Sequence, residues 1–146
     1  MVHIRPLKHN KKRKLDYYYK TVNVGVDKAV RACAKEVSDN AKDIGYIENN
    51  FKKLLARRLR KMGYEVHEEV PVIYRDEVES LPFGIGYVDL VLMALNSATL
   101  IELKTTKKTP ARQLKKYLKH WDYCNLNGGY CINFVDDNYS IEKIES

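Results

Sequence analysis

Val88-Asp89-Leu90-Val91-Leu92-Met93-Ala94-Leu95 and, two residues on, Ala98-Thr99-Leu100-Ile101-Glu102-Leu103-Lys104 are apolar at both alternating positions apart from three charges. Strands covered on both faces read this way. Side chains alternate along a strand, so Glu102 and Lys104 share a face. An unpaired buried carboxylate is costly, and such groups pair or bind metal. If the two strands are neighbours, Asp89 and Glu102 approach each other, and they repel unless a cation sits between them. Hard oxygen donors suit Mg²⁺ or Mn²⁺, with water and phosphate oxygens completing an octahedron. Lys104 beside such an ion could activate an attacking water or steady charge developing on phosphorus. A structural Asp/Glu–Lys ion-pair cluster at a sheet end would use the same residues, and both readings stay open at this point.

Working outward, residues 110–125 have helical spacing with Pro110 in the first turn. Gly128-Gly129 breaks the chain, and residues 130–135 and 139–144 read as short closing strands. Upstream, residues 64–75 and 86–95 read as strands around a turn-like segment with Pro82, Gly84 and Gly86. Residues 44–62 form a helix with Ile47, Phe51, Leu54, Leu55, Arg58, Leu59 and Met62 on one face and Gly63 as its stop. Residues 26–40 form an earlier helix, with Asp27 as a candidate cap. The order is α-α-β-β-β-α-β-β, an α/β chain with a central mixed sheet flanked by helices.

The 146 residues suit a single domain able to bury a core without disulfides. Three cysteines (Cys33, Cys124, Cys131) form no CxxC, which disfavours a zinc finger, an iron–sulfur cluster or a disulfide framework. Reduced thiols in an intracellular setting are expected. No apolar run approaches the roughly 20 residues of a membrane span. The net charge of +7 is unevenly placed. Residues 1–14 carry six bases and no acid, leaving 20 bases against 19 acids elsewhere. Residues 1–20 therefore read as a basic flexible arm, and residues 21–146 as the domain. Lys11-Lys12-Arg13-Lys14 has the composition of a nuclear-import signal or a phosphate-binding arm, which fits cytoplasm or nucleus. An acidic segment with Glu65, Glu68, Glu69, Asp76, Glu77 and Glu79 lies between two basic stretches. A polyanion partner accounts for the two basic surfaces, and solvated helix faces account for them equally. The four histidines are scattered without metal-ligand spacing.

Asp89, a 12-residue gap, then Glu102-Leu103-Lys104 resembles the signature of the PD-(D/E)XK nuclease superfamily. Gly45-Tyr46-Ile47-Glu48-Asn49-Asn50-Phe51 is similar to the motif of its GxxExxY family, with Phe51 for Tyr. Gln113-Leu114-Lys115-Lys116-Tyr117 is similar to the QxxxY motif of its RecB-like branch. Glu68-Glu69-Val70-Pro71-Val72 and Ile132-Asn133-Phe134 also resemble strands of the GxxExxY family. The likeness runs from about Val26 to Glu145, in order, with Val88 in place of the eponymous proline.

The resemblance implies a restriction-endonuclease-like core and Mg²⁺-dependent hydrolysis of DNA phosphodiesters. Asp89 and Glu102 would be the metal ligands, with the Leu103 carbonyl. Glu48 would bind directly or through water, and Lys104 would position or activate the water. Gln113 and Tyr117, at i and i+4 on one helix face, would contact the strand or the scissile region; core packing with Leu114, Leu118 and Trp121 accounts for Tyr117 equally. Lys107, Lys108, Arg112, Lys115 and Lys116 would track a phosphate backbone with sequence-independent, salt-sensitive affinity. Arg57, Arg58 and Arg60 could do the same, although Arg58 lies on an apolar face and could instead be an ion-pair partner. QxxxY leans toward an exonuclease or end-processing enzyme of repair, recombination or replication. The alternatives are a structure-specific endonuclease such as a junction resolvase, which would act as a homodimer, a catalytically inactive nucleic-acid-binding module, and an interaction protein whose charge cluster is structural. DNA is the expected partner and a membrane is not. A basic arm on a compact nuclease would serve a cell or a large DNA virus.

Overall fold

The β-rich half of the chain forms one five-stranded sheet, and its helices pack on both faces of that sheet. The computed structural model describes residues 9–75 and 82–146. The acids Asp76, Glu77 and Glu79 and the first eight residues of the basic arm lie outside the described residues. The elements are α1 (His9–Asp39), α2 (Ala41–Ile44), α3 (Glu48–Lys61), β1 (Glu65–Arg75), β2 (Pro82–Ala94), β3 (Ser97–Lys104), α4 (Ala111–His120), β4 (Asn125–Val135) and β5 (Asn138–Ile144). The strand order is β1-β2-β3-β4-β5. All neighbours are antiparallel except β3 and β4, whose parallel pairing requires the crossover through α4. This is the expected α/β architecture with a mixed sheet, consistent with a restriction-endonuclease-like core.

Both faces of β2 and β3 are covered, which explains their continuous apolar character. On one face Val30, Ala34 and Val37 of α1 and Phe51, Leu55 and Leu59 of α3 pack over Leu90, Leu92, Ile101, Leu103, Ile132 and Phe134. The Phe51 and Phe134 rings stack with centroids 4.7 Å apart. On the other face Leu114 and Tyr117 of α4 pack over Val72, Val88, Leu100 and Cys131. Arg58 is the expected ion-pair partner, 3.5 Å from Glu36 of α1.

Several boundaries differ from the sequence expectation. The first helix begins at His9 rather than Val26, so the last twelve residues of the expected arm fall within α1. Asp27 is therefore no cap; it lies inside α1 and accepts a hydrogen bond from the Tyr130 hydroxyl at 2.7 Å, which holds its carboxyl below the usual range. The second helix begins at Glu48 rather than residue 44, after a separate short α2 capped at its end by Gly45, whose φ of +73° suits glycine. Helix α4 ends at His120, five residues early, because Trp121 takes an extended conformation. Gly84 and Gly86 belong to β2 rather than a turn. Gly128-Gly129 does not break the chain but lies inside β4. A Cβ at Gly129 would come within 2.7 Å of the Leu100 carbonyl and 2.9 Å of Leu114, so glycine here permits close approach of α4 and β3. Among the described residues no helix is long and apolar enough to cross a membrane.

Candidate active site

Regular pairing of β2 and β3 runs from Ala94↔Ser97 to Leu90↔Ile101 and ends there. At the next rung side chains take over from the ladder. The Asp89 backbone N–H donates to Glu102 Oε1 at 2.9 Å, and the Leu103 N–H donates to Asp89 Oδ2 at 2.9 Å. The two carboxylates thus lock the strands together at the point where they part.

The strand on the other side of Asp89 is also distorted. Glu68 pairs with Leu90 and Val70 with Val88, so Glu69 and Asp89 lie opposite each other between them. Glu69 has φ +53°, which costs energy for a residue with a Cβ. Val88 and Leu90, two residues apart, would share a face in a regular strand, yet Val88 packs under α4 and Leu90 under α1 and α3. Val66 and Val70 divide in the same way. Both strands therefore switch faces at the Glu69–Asp89 rung, next to the Asp89–Glu102 contact.

Helix α3 and the end of β3 bring further charges to this place. Glu48 opens the helix, where its dipole favours an acid. One turn later Lys52, only 7% exposed, forms an ion pair with Glu69. Lys104, the last residue of β3, lies 3.9 Å from Glu48 Oε1. Each nearby ammonium is thus engaged by a carboxylate other than Asp89 or Glu102. Burial pushes the Asp89 carboxyl up; the Leu103 N–H opposes this, and Glu48 and Glu69 add to it. Burial, then repulsion from Asp89, pushes Glu102, 3% exposed, up to about 9. Both shifts have the sign of negative charge confined in a poorly solvated place.

This donor chemistry fits a hard divalent cation. A buried carboxylate (Glu102), a half-buried one (Asp89) and an adjacent backbone carbonyl are the oxygen ligands such ions take. Among the described residues, no three His, Cys, Asp or Glu groups converge as a ready metal cage. Glu48 is drawn toward Lys104, and Asp89 and Glu102 are held by backbone N–H groups.

The other predicted residues divide between core and surface. Tyr117 is 1% exposed and its ring stacks on Tyr74 at 5.9 Å, as the packing reading required. Its phenol accepts a hydrogen bond from Gln113 Nε2 at 2.6 Å, so the pair is a unit whose exposed member is Gln113. Burial pushes the Tyr117 phenol up, and Tyr74 and Glu102 act in the same direction. Lys107 and Lys108 lie exposed in the loop leaving Lys104, and Arg112, Lys115 and Lys116 lie exposed along α4. The Lys116 ammonium sits 3.7 Å above the Tyr74 ring. Sequence reasoning did not single out Lys52, Glu69, Tyr74 or Asn133 individually for the site. Lys52 had one readable signal, its i+4 spacing from Glu48.

A family model described as the PD-(D/E)XK nuclease superfamily matches residues 24–144. No curated protein sequence matches the chain. A solved structure reported as "Crystal structure of SSO0001" aligns with a TM-score of 0.45 at 16% sequence identity. The alignment covers 78% of this chain and 63% of that one.

Proposed function

The chain belongs to the PD-(D/E)XK nuclease superfamily, and from that premise we propose that it is a metal-dependent nuclease that trims DNA ends. Residues 21–146 carry the nuclease machinery, and residues 1–20, whose last twelve begin α1, add basic charge to it. The observation that carries the reading is the reciprocal bonding of Asp89 and Glu102 where β2 and β3 part. A fold that needed only stability would place apolar residues or a matched ion pair there.

In this reading Asp89, Glu102 and the Leu103 carbonyl hold Mg²⁺ or Mn²⁺, with Glu48 binding directly or through water. The ion, when bound, supplies Lewis-acid stabilisation of phosphate charge and assists water activation. Lys104 orients the attacking water in line with the scissile bond and offsets charge gathering on the phosphate. Gln113 contacts the strand, and Tyr117 acts on it only by holding Gln113 in place. Lys107, Lys108, Arg112, Lys115 and Lys116 follow the backbone. The GxxExxY and QxxxY likenesses support this assignment and its lean toward end processing.

The test is cleavage of labelled single strands, blunt and overhanging duplexes, flaps and four-way junctions, as DNA and RNA, with Mg²⁺, Mn²⁺ or EDTA. A metal-dependent ladder of shortened DNA is expected, slowed about 10²–10³-fold by Lys104→Ala and abolished by Asp89→Ala. Unchanged cleavage in both variants, or salt-sensitive binding with no cleavage, would overturn the proposal. Junction cutting without end trimming would replace it with a resolvase.

A further inference from the structure

Strands β4 and β5 carry an open cleft of about 640 Å³ that the nuclease reading leaves unused. Strand register fixes its position. Glu102 pairs with Cys131, which pairs with Glu142; Lys104 pairs with Asn133, which pairs with Ser140. Neighbouring strands lie about 4.8 Å apart, so the cleft begins one strand from the candidate centre. Asn133, Ser140 and Glu142 all line it.

The cleft is also built, not merely left over. Asn133 Nδ2 donates to the Thr106 carbonyl at 2.9 Å and the Lys108 carbonyl at 2.8 Å. That clamp folds the loop leaving Lys104 into a rim, and Lys107 and Thr109 of this loop line the cleft. The volume falls within the roughly 300–1,000 Å³ of small-molecule sites. Hydroxyls suit a sugar. Carboxylates and Asn133 Oδ1, the N–H groups of that amide being taken by the clamp, suit the donor edge of a base, and Val135 supplies an apolar wall. A bare anion would be repelled by Asp136 and Glu142, which outnumber Lys107 in the lining, so the base and sugar rather than the phosphate occupy the cleft.

We propose that this cleft is a subsite for one nucleotide of the substrate strand, the one beside the phosphate at Glu102 and Lys104. The proposal rests on the nuclease reading for its purpose, but its binding claim stands apart. Ser140 is exposed and lies outside the candidate machinery, so Ser140→Phe fills the cleft from the surface.

The experiment titrates full-length protein with deoxyadenosine 5′-monophosphate, and separately with inorganic phosphate, in EDTA, following backbone amide signals. The nucleotide should shift signals of Lys107, Asn133 and Ser140, and phosphate alone should not reproduce the pattern. Ser140→Phe should weaken nucleotide binding at least about ten-fold, equivalent to 1.4 kcal/mol, and raise KM for end trimming by a similar factor with kcat nearly unchanged. Ser140→Ala removes one hydroxyl without filling the cleft and should weaken nucleotide binding less than Ser140→Phe. Nucleotide binding and KM unaffected by Ser140→Phe would overturn the subsite while leaving the nuclease intact. Shifts confined to other surfaces would do the same. Cleft binding of the nucleotide in a protein that cleaves nothing would uphold the site and sink the nuclease reading instead.

Discussion

The two ends of the β2–β3 pair differ in kind. From Leu90↔Ile101 to Ala94↔Ser97 the strands pair rung by rung, and Leu90, Leu92, Leu100 and Ile101 are fully buried. One rung further the ladder gives way to Asp89 and Glu102, with Glu69 opposite in strained backbone. The apolar end gains free energy by removing hydrocarbon from water. The charged end confines carboxylates that would be better solvated in the unfolded chain. One strand pair thus contains a stabilising half and a half whose charges the fold itself does not require.

The contrast can be broken most forcefully at the apolar end. Leu92→Ala should cost about 2–5 kcal/mol in chemical denaturation, because the packed layers around it cannot close the cavity. A loss under about 1 kcal/mol would mean that this end is not the anchor.

The charged end should respond in the opposite direction. Glu102 has a folded pKa raised from the ordinary 4.5 to about 9. Between those values the folded protein keeps a proton that the unfolded chain has released. Stability in EDTA should therefore fall as pH rises across that window. Glu102→Gln retains an amide oxygen for the Asp89 N–H and removes the charge. It should stabilise the metal-free protein at pH 8 by about 1–3 kcal/mol and flatten the pH slope, while abolishing cleavage. Thermal melts across pH check this, and a variant less stable than wild type at pH 8 would remove the contrast.

The smallest effect sharpens the boundary between core and site. Tyr117→Phe keeps the buried ring and removes the phenol's bonds to Gln113 and Tyr74, so about 1 kcal/mol of stability should be lost. Gln113→Ala removes the same Gln113–Tyr117 bond, so it should lose a similar amount of stability and in addition raise KM for cleavage. Equal kinetic losses in the two variants would show that the phenol acts only through Gln113.

Much of this was legible before any coordinates. The apolar runs around Asp89 and Glu102 announced strands covered on both sides, and α1, α3 and α4 cover them. Element edges were less legible where glycine serves close packing rather than a turn. Gly86 reads as a turn residue, but a Cβ there would collide with Tyr74 and come within 2.7 Å of the Tyr117 hydroxyl, so the residue clears space beneath α4. The start of α1 was missed because basic composition signals charge and says little about helix formation.

The chain by itself determined the element order, the two-sided burial of β2 and β3, and the charges that interrupt them. These follow from local periodicity and from the cost of burying a carboxylate. Only the tertiary structure decided which charge meets which. Lys52 turns to Glu69, Lys104 approaches Glu48, and Asp89 takes the Leu103 N–H. Pairing depends on strand register and on where α3 lands over the sheet, and both come from packing of residues far apart in sequence. The face switch at Glu69 and Asp89 has the same origin, since a strand read alone alternates without interruption.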